Sequence, residues 1–304
     1  MIDETASNAV DKWAAWLLHR RDGDDREQQK RALEYLGPIR ERVLDGAALA
    51  REDVLLDVGS GDGLIAFGAL RRLGPQGRVI ISDVSATLLS AARQIAIDTR
   101  EEARVSFVEA SAETLAPIEY ESVDAVTTRS VLIYVAEKGQ AFDAFHRVLR
   151  PNGRVSIFEP INNYFPLSTQ EFWGFDAAPI SDLVEKVYQH EGWTETIDQD
   201  DPMLNFTEKD LVRHAERAGF EEIHVDLVVD VRPGTWVVDW ERMLETSPNP
   251  NAHTVREALD GALTREEFKR FERHIRPLAD AGRGLVRDAC AYLRARKGDA
   301  GTVS

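Results

Sequence analysis

The 304-residue chain is short of several things, and each shortage excludes something. It has one cysteine, Cys290, so it can form no internal disulfide and no thiolate metal cluster. No apolar run approaches the roughly 18 residues that a membrane-spanning helix requires. Excess positive charge is missing: 37 Lys and Arg stand against 53 Asp and Glu, a formal net charge of -16. Such a surface repels phosphate backbones and anionic membranes, so neither nucleic acid nor membrane is expected as a partner. The N-terminus, Met1-Ile2-Asp3-Glu4, has neither a basic stretch nor an apolar one, so no secretory signal is expected and the cytoplasm is the expected location. His214, His224, His253 and His274 show no metal-ligand spacing, so no metal is expected, and His146 reads as packing from its helix. Internal repeats are absent, and low complexity is confined to the tail from Gly298 to Ser304. Tryptophan is absent from 50–160: Trp13, Trp16, Trp173, Trp193, Trp236 and Trp240 all lie outside it.

What is present suffices for a full core, since 43% of the residues are hydrophobic. The length suits one large domain, or a domain carrying a substantial cap. The chain is organised around Val54-Leu55-Leu56-Asp57-Val58-Gly59-Ser60-Gly61-Asp62-Gly63-Leu64. The apolar run reads as a buried parallel strand, and the sequence after the glycines as a helix to about residue 73. Glycines at that turn permit backbone angles closed to other residues and let a ligand approach the main chain. A dinucleotide site shares this geometry but wants G-x-G-x-x-G, and Leu64 stands where its last glycine belongs. Asp57, two residues before the first glycine, would repel a pyrophosphate and suits a ligand bearing an ammonium group.

From Asp53 the pattern alternates strand and helix, which implies a parallel sheet with helices on both faces. Strands are expected at 54–58, 78–83, 105–109, 123–128 and 155–159, with helices at about 62–73, 86–100 and 137–149. Ser85 is a good N-cap. The second strand ends in Asp83, about 20 residues past the glycine loop, where an acid can accept bonds from ribose hydroxyls. Pro151 stops a helix and Asn152-Gly153 supplies a turn with positive φ. Thr207 caps a further helix that Gly219 closes. A strand follows at 223–229, then helices at about 235–246, 254–261 and 264–281. Residues 287–296 are ambiguous between helix and strand. An apolar alternation there favours a final strand.

The Asp57 to Gly63 stretch resembles the first motif of class I S-adenosylmethionine (SAM)-dependent methyltransferases of the small-molecule type. Asp83, the loop from Ala110 to Leu115 and the turn Arg147-Val148-Leu149-Arg150-Pro151-Asn152-Gly153 fit that family in register. The resemblance covers 54–159. It implies an α/β fold: a doubly wound, mostly parallel, seven-stranded Rossmann-like sheet with an antiparallel last strand, here with a helical cap. It implies SAM as cofactor. Asp57, Gly59, Ser60, Gly61 and Gly63 would cradle the methionine part, and Asp83 would bind the ribose. Val84 would pack on the adenine, Ser111 and Ala112 would reach its polar edge, and the backbone at Arg129 would face the methionine end. In the family an acid usually stands where this chain has Ser111, so that contact becomes neutral and weaker.

The flanking segments carry no motif. Residues 1–50 read as an N-terminal helical cap, with Trp13, Trp16 and Leu17 on one face and Pro38 starting or kinking a segment. Residues 51–304 read as the SAM-binding domain, with cap insertions at about 160–206 and 234–284. The tryptophans in these pieces either anchor small helices or enclose a partly apolar substrate. Trp13, Trp16, Asn162, Asn163, Tyr164 and Trp173 are the pocket candidates. His19, Tyr134, Glu159 and His190 are the candidates for a general base. The expected function is methyl transfer from SAM to an O, N or C nucleophile of a small molecule, in a monomer or homodimer. Alternatives are a macromolecule methyltransferase, or a SAM-binding protein with non-methyl catalysis or a scaffold role.

Overall fold

A computed structural model describes residues 11–194, 198 and 200–299. The readings made on Met1 to Glu4, on helix before residue 11 and on the tail from 300 lie outside these residues. The chain divides into two compact units. The larger comprises 33–168, 194–233 and 285 onward; the smaller comprises the chain up to 32, 169–193 and 234–284.

The larger unit is built on a seven-stranded sheet. Its strands are β1 (Val54–Val58), β2 (Arg78–Asp83), β3 (Val105–Glu109), β4 (Val123–Arg129), β5 (Leu149–Pro160), β8 (Phe220–Pro233) and β9 (Leu285–Lys297). Their order is β3-β2-β1-β4-β5-β9-β8. The first five are parallel, and β9 pairs antiparallel with both β5 and β8. The expected final strand is therefore present.

Side chains alternate between the two faces. On β1, Leu55 enters one apolar cluster with Ile81, Ala125, Ile65 and Val43, while Leu56 enters another with Val126, Phe142, Phe145 and Leu211. Helices α3 (Leu64–Leu70), α4 (Ala86–Asp98), α5 (Lys138–Val148) and α7 (Glu208–Arg217) belong to this unit. Ser85 caps α4, its Oγ accepting the Leu88 amide at 3.0 Å. Asn152 takes φ 67° at the turn inside β5.

Helix α2 (Arg26–Ala47) runs through Pro38, where a start or kink was expected. Gly37 explains the tolerance: the residue before a proline normally clashes through its Cβ, and glycine has none. Helix α1 (Lys12–Ala15) leads into a π-helical turn, Trp16–Arg20. Asp11 holds its start by accepting the Trp13 and Ala14 amides.

The smaller unit adds a two-stranded sheet, β6 (Glu171–Phe172) with β7 (Phe175–Asp176), that the sequence did not announce. It also holds α6 (Ser181–Glu191), α8 (Trp240–Glu245), α9 (Val255–Ala262) and α10 (Arg265–Asp280). Its core is Phe172, Phe175, Val184, Val187, Trp240, Met243, Leu259, Phe271 and Ile275. Residues 169–193 and 234–284 group in this unit, whereas 33–50 and 194–206 group with the sheet.

Candidate functional site

The glycine loop is shaped by its backbone and tied down by side chains. Gly59, Gly61 and Gly63 have φ of 61°, 58° and 87°, all left-handed. A Cβ at Gly59 would lie 2.3 Å from Val131 Cγ2. Ser60 donates its amide to Ser82 O at 3.0 Å and its hydroxyl to Asp57 O at 2.8 Å, which fastens the loop to β1 and β2.

Asp83 closes β2 and reaches back to the loop. Its Oδ2 accepts the Gly61 amide at 2.9 Å and its Oδ1 accepts the Ser85 amide at 2.9 Å. Both carboxylate oxygens are therefore oriented. Val84 follows and is 50% exposed, which leaves an apolar surface beside the acid. The loop after β3 is joined to the same point, because Ala110 donates its amide to Asp83 O at 3.1 Å.

Ser111 stands in that loop with a partner the sequence did not single out. Its Oγ is 2.9 Å from Glu113 Oε2, and it accepts the Glu113 amide at 3.2 Å. A carboxylate is thus supplied two residues after the position where the family usually carries one. The signal was present in Ser111-Ala112-Glu113, but only the loop conformation turns the acid back onto the serine. Ala112 is buried.

Asp57, expected in the cradle for the methionine part, is buried. It is 1% exposed, accepts the Thr127 hydroxyl at 2.8 Å and accepts the Ala66 amide at 3.2 Å. Ala66 lies in the first turn of α3, where a negative charge meets the positive end of the helix dipole. The carboxylate joins β1, β4 and α3, and Ser60 of the glycine loop also bonds to it. Burial is the strongest influence on it and raises its pKa to about 7, against the pull of its hydrogen bonds and Arg129.

Glu159, a candidate base, is equally enclosed. It is 0% exposed and accepts the amides of Val131, Leu132 and Ile133 at 2.9, 2.9 and 3.2 Å. These bonds fix the turn after β4, where Ser130 takes φ 55°. Burial again lifts the pKa to about 7, with the three amides and Arg129 pulling it down. A carboxylate engaged by three amides latches that turn. Arg129, expected to act through its backbone, also contributes its charge to both buried acids. Tyr134 is partly buried, and burial beside Glu159 raises its pKa.

The other candidates fall in separate places. Asn163 is structural: its Nδ2 donates to Leu204 O and Phe206 O at 3.0 and 2.8 Å. Asn162 is half-buried and Tyr164 is exposed. Trp13, Trp16, His19, Trp173 and His190 belong to the smaller unit. Trp16 donates its indole N–H to Ser247 O at 3.0 Å, and a cavity of about 220 Å³ lies beside it, lined by Ala15, Ser247 and Pro250. Lys12 lies over the Trp13 ring, 5.0 Å from its centroid. Trp173 takes φ 53° between β6 and β7. His19 is exposed and pairs with Asp24 at 3.0 Å.

The cofactor implied by the resemblance can be tested against these atoms. Loop amides, the Asp83 carboxylate, the exposed Val84 and the Ser111–Glu113 pair follow one another along the ends of β1, β2 and β3. Two buried hydroxyls in the same strand ends, Ser82 Oγ and Thr128 Oγ1, have no hydrogen-bond partner. They flank Val58 in register on either side of β1. This donor set fits the polar parts of SAM and its adenosine, so the site suits the cofactor.

Comparison with known proteins agrees on the core. Residues 56–157 match the family described as "Methyltransferase domain". A ubiquinone/menaquinone biosynthesis C-methyltransferase, UbiE, from Hahella chejuensis is 32% identical over 140 residues, 45% of this chain and 56% of that protein. The chain therefore spans about half the length of this relative. Among solved structures, geranyl diphosphate C-methyltransferase from Streptomyces coelicolor A3(2), with S-adenosyl-L-homocysteine bound, superposes with a TM-score of 0.50 at 17% identity. That match covers 86% of this chain and 76% of the other. The [4+2]-cyclase SpnF superposes with a TM-score of 0.51 at 19% identity, covering 86% of this chain and 81% of SpnF.

Proposed function

We propose that this chain, whose core is a class I SAM-dependent methyltransferase domain, transfers a methyl group from SAM to a small-molecule nucleophile. One observation carries the reading: Asp83 accepts the amide of Gly61, the middle of three left-handed glycines, at the ends of β1 and β2. When bound, SAM supplies a methyl already activated on a sulfonium, so few fixed catalytic groups are required. This chain's residues then bind, orient and exclude water. The Asp83 carboxylate holds two hydroxyls of a ribose, Val84 covers one face of the adenine, and the Ser111–Glu113 pair accepts from its amino group. The amides of Gly59 to Gly63 and the loop fixed by Glu159 receive the methionine end.

A small acceptor is supported by the charge of -16, which disfavours polyanionic partners. It is also supported by the UbiE relative, whose name gives a quinone-pathway C-methyltransferase. Among the described residues no helix is long and apolar enough to cross a membrane. Acceptor choice belongs, in this reading, to the tryptophan-bearing smaller unit, because the sheet unit lacks tryptophan between 50 and 160.

A second reading has one specific support. SpnF carries this fold and is named a [4+2]-cyclase, so the fold also hosts chemistry other than methyl transfer. Incubating the chain with SAM and a panel of phenols, quinols, amines and carbon acids decides between the two. Formation of S-adenosylhomocysteine together with a product 14 mass units heavier supports methyl transfer. Tight SAM binding with no turnover across the panel favours the second reading.

A further inference from the structure

Within the smaller unit, His190, Glu191 and His253 place one ligand atom each within 4.8 Å of one another. We propose that this trio is a binding site for one divalent transition-metal ion of the zinc class, independent of the SAM site. Sequence spacing conceals it, since His253 lies 62 residues from Glu191. The fold brings them together by packing α6 on α9.

Each donor is held in place. Glu191 is the last residue of α6, and Gly192 at φ 74° ends the helix there. Its side chain is only 3% exposed, yet its Oε1 is 2.8 Å from His253 Nδ1 and its Oε2 accepts the His253 amide at 3.3 Å. His253 directly precedes Thr254, the N-cap of α9. That position is set by a reciprocal pair: Thr254 donates its amide to Glu257 Oε2 at 2.8 Å, and Glu257 returns its amide to Thr254 Oγ1 at 3.3 Å. The His190 ring seats against α9 where the chain has Gly261. A Cβ there would lie 2.3 Å from Nε2, so no larger residue would let the ring approach. The two imidazoles stack with centroids 6.1 Å apart and an interplanar angle of 28°.

The electrostatics call for a cation. A buried carboxylate costs free energy unless it is paired. Glu191 also sits at the negative end of the α6 dipole, where a second negative charge is unfavourable. Two imidazoles and one carboxylate form the donor set of three-ligand zinc sites, and a fourth position stays open. Tetrahedral zinc holds its donors roughly 3.3 Å apart, so the Glu191–His253 pair would open from 2.8 Å while the His190 donor, within 4.8 Å of both, closes in. Both histidines are exposed, so the open position would take water or a small molecule with an oxygen or thiolate donor.

The test is isothermal titration of the untagged full chain with Zn²⁺ in a non-chelating buffer, with Co²⁺ absorption as a second readout. The expected result is one Zn²⁺ per chain at micromolar affinity, undiminished by excess Mg²⁺, and Co²⁺ ligand-field bands of a low-coordinate site. Glu191→Gln, His253→Ala and His190→Ala should each weaken binding at least tenfold. His224→Ala, an exposed histidine paired with Asp226, should leave it unchanged. S-adenosylhomocysteine binding serves as the check that each variant is folded, and His190→Ala alters an exposed side chain least tied to the core. Absence of saturable Zn²⁺ binding by the wild type overturns the proposal. So does binding that survives in folded His190→Ala and Glu191→Gln.

Discussion

The Asp83 carboxylate accepts the Gly61 amide at 2.9 Å, joining the end of β2 to the middle of the glycine loop. The residue read as a ribose ligand is therefore also a brace for the loop. Asp83→Asn keeps the size but removes the charge and one acceptor. Binding of S-adenosylhomocysteine should weaken by about 1–3 kcal/mol, the worth of charge-assisted bonds. Calorimetric titration checks this. Unchanged affinity would show that Asp83 serves the loop alone.

Gly59 makes a stricter demand. A side chain there would need both φ 61° and space that Val131 Cγ2 occupies at 2.3 Å. Gly59→Ala should lower the thermal midpoint and abolish detectable S-adenosylhomocysteine binding. Adding Val131→Ala should recover part of the stability by removing the contacting methyl, while the cost of positive φ, about 1–2 kcal/mol, remains. Differential scanning calorimetry of the single and double variants separates the two contributions.

How far these features were legible depends on the range of the interaction that makes them. The alternation of apolar strands and helices placed β1 to β5, and local signals placed the Ser85 cap and the Asn152 turn. The expected last strand appears as β9 because β5 and β8 need a partner between them, although its own residues suit either state. Side-chain roles were less legible. Asp57 precedes the glycines in sequence, and its partners Thr127 and Ala66 come from elements that sequence cannot orient. Glu159 looked like a base because it ends a strand, and only the turn at 131–133 reveals its three amide donors. Glu113 was passed over because the acid expected at 111 was sought at that position alone. The pairing of Glu191 with His253 is long-range and leaves no spacing to read.

The smaller unit should govern the acceptor. Trp16 and Trp173 are both partly exposed within it, and neither belongs to the sheet unit. Once an acceptor is found, Trp16→Ala or Trp173→Ala should raise its KM about tenfold, with S-adenosylhomocysteine affinity within a factor of two of wild type. Loss of one aromatic contact costs on the order of 1.5 kcal/mol, which is that tenfold. Steady-state kinetics beside a calorimetric titration provide both numbers. An unchanged KM in both variants would remove the unit from acceptor binding.

Glu159 and Asp57 predict how stability responds to pH. Burial raises both carboxyls to about 7, above the ordinary range near 4 that they have when unfolded. Between about pH 4 and 7 the folded chain therefore holds more protons at these two groups than the unfolded chain. Stability from this source is largest at the acid end of that window and declines as pH rises through 7. The thermal midpoint, measured from pH 5.5 to 8.5, should fall across neutrality. In Glu159→Gln the slope should be shallower, since one of the two titrating groups is gone. The same substitution leaves one carbonyl oxygen where two oxygens accepted from Val131, Leu132 and Ile133, and it sets an N–H₂ against the third amide. It should destabilise the fold by about 1–3 kcal/mol at pH 8, where the wild-type carboxylate is ionised. Chemical denaturation at that pH measures the loss. A variant as stable as wild type, with an unaltered pH slope, would mean that the turn after β4 does not depend on this latch.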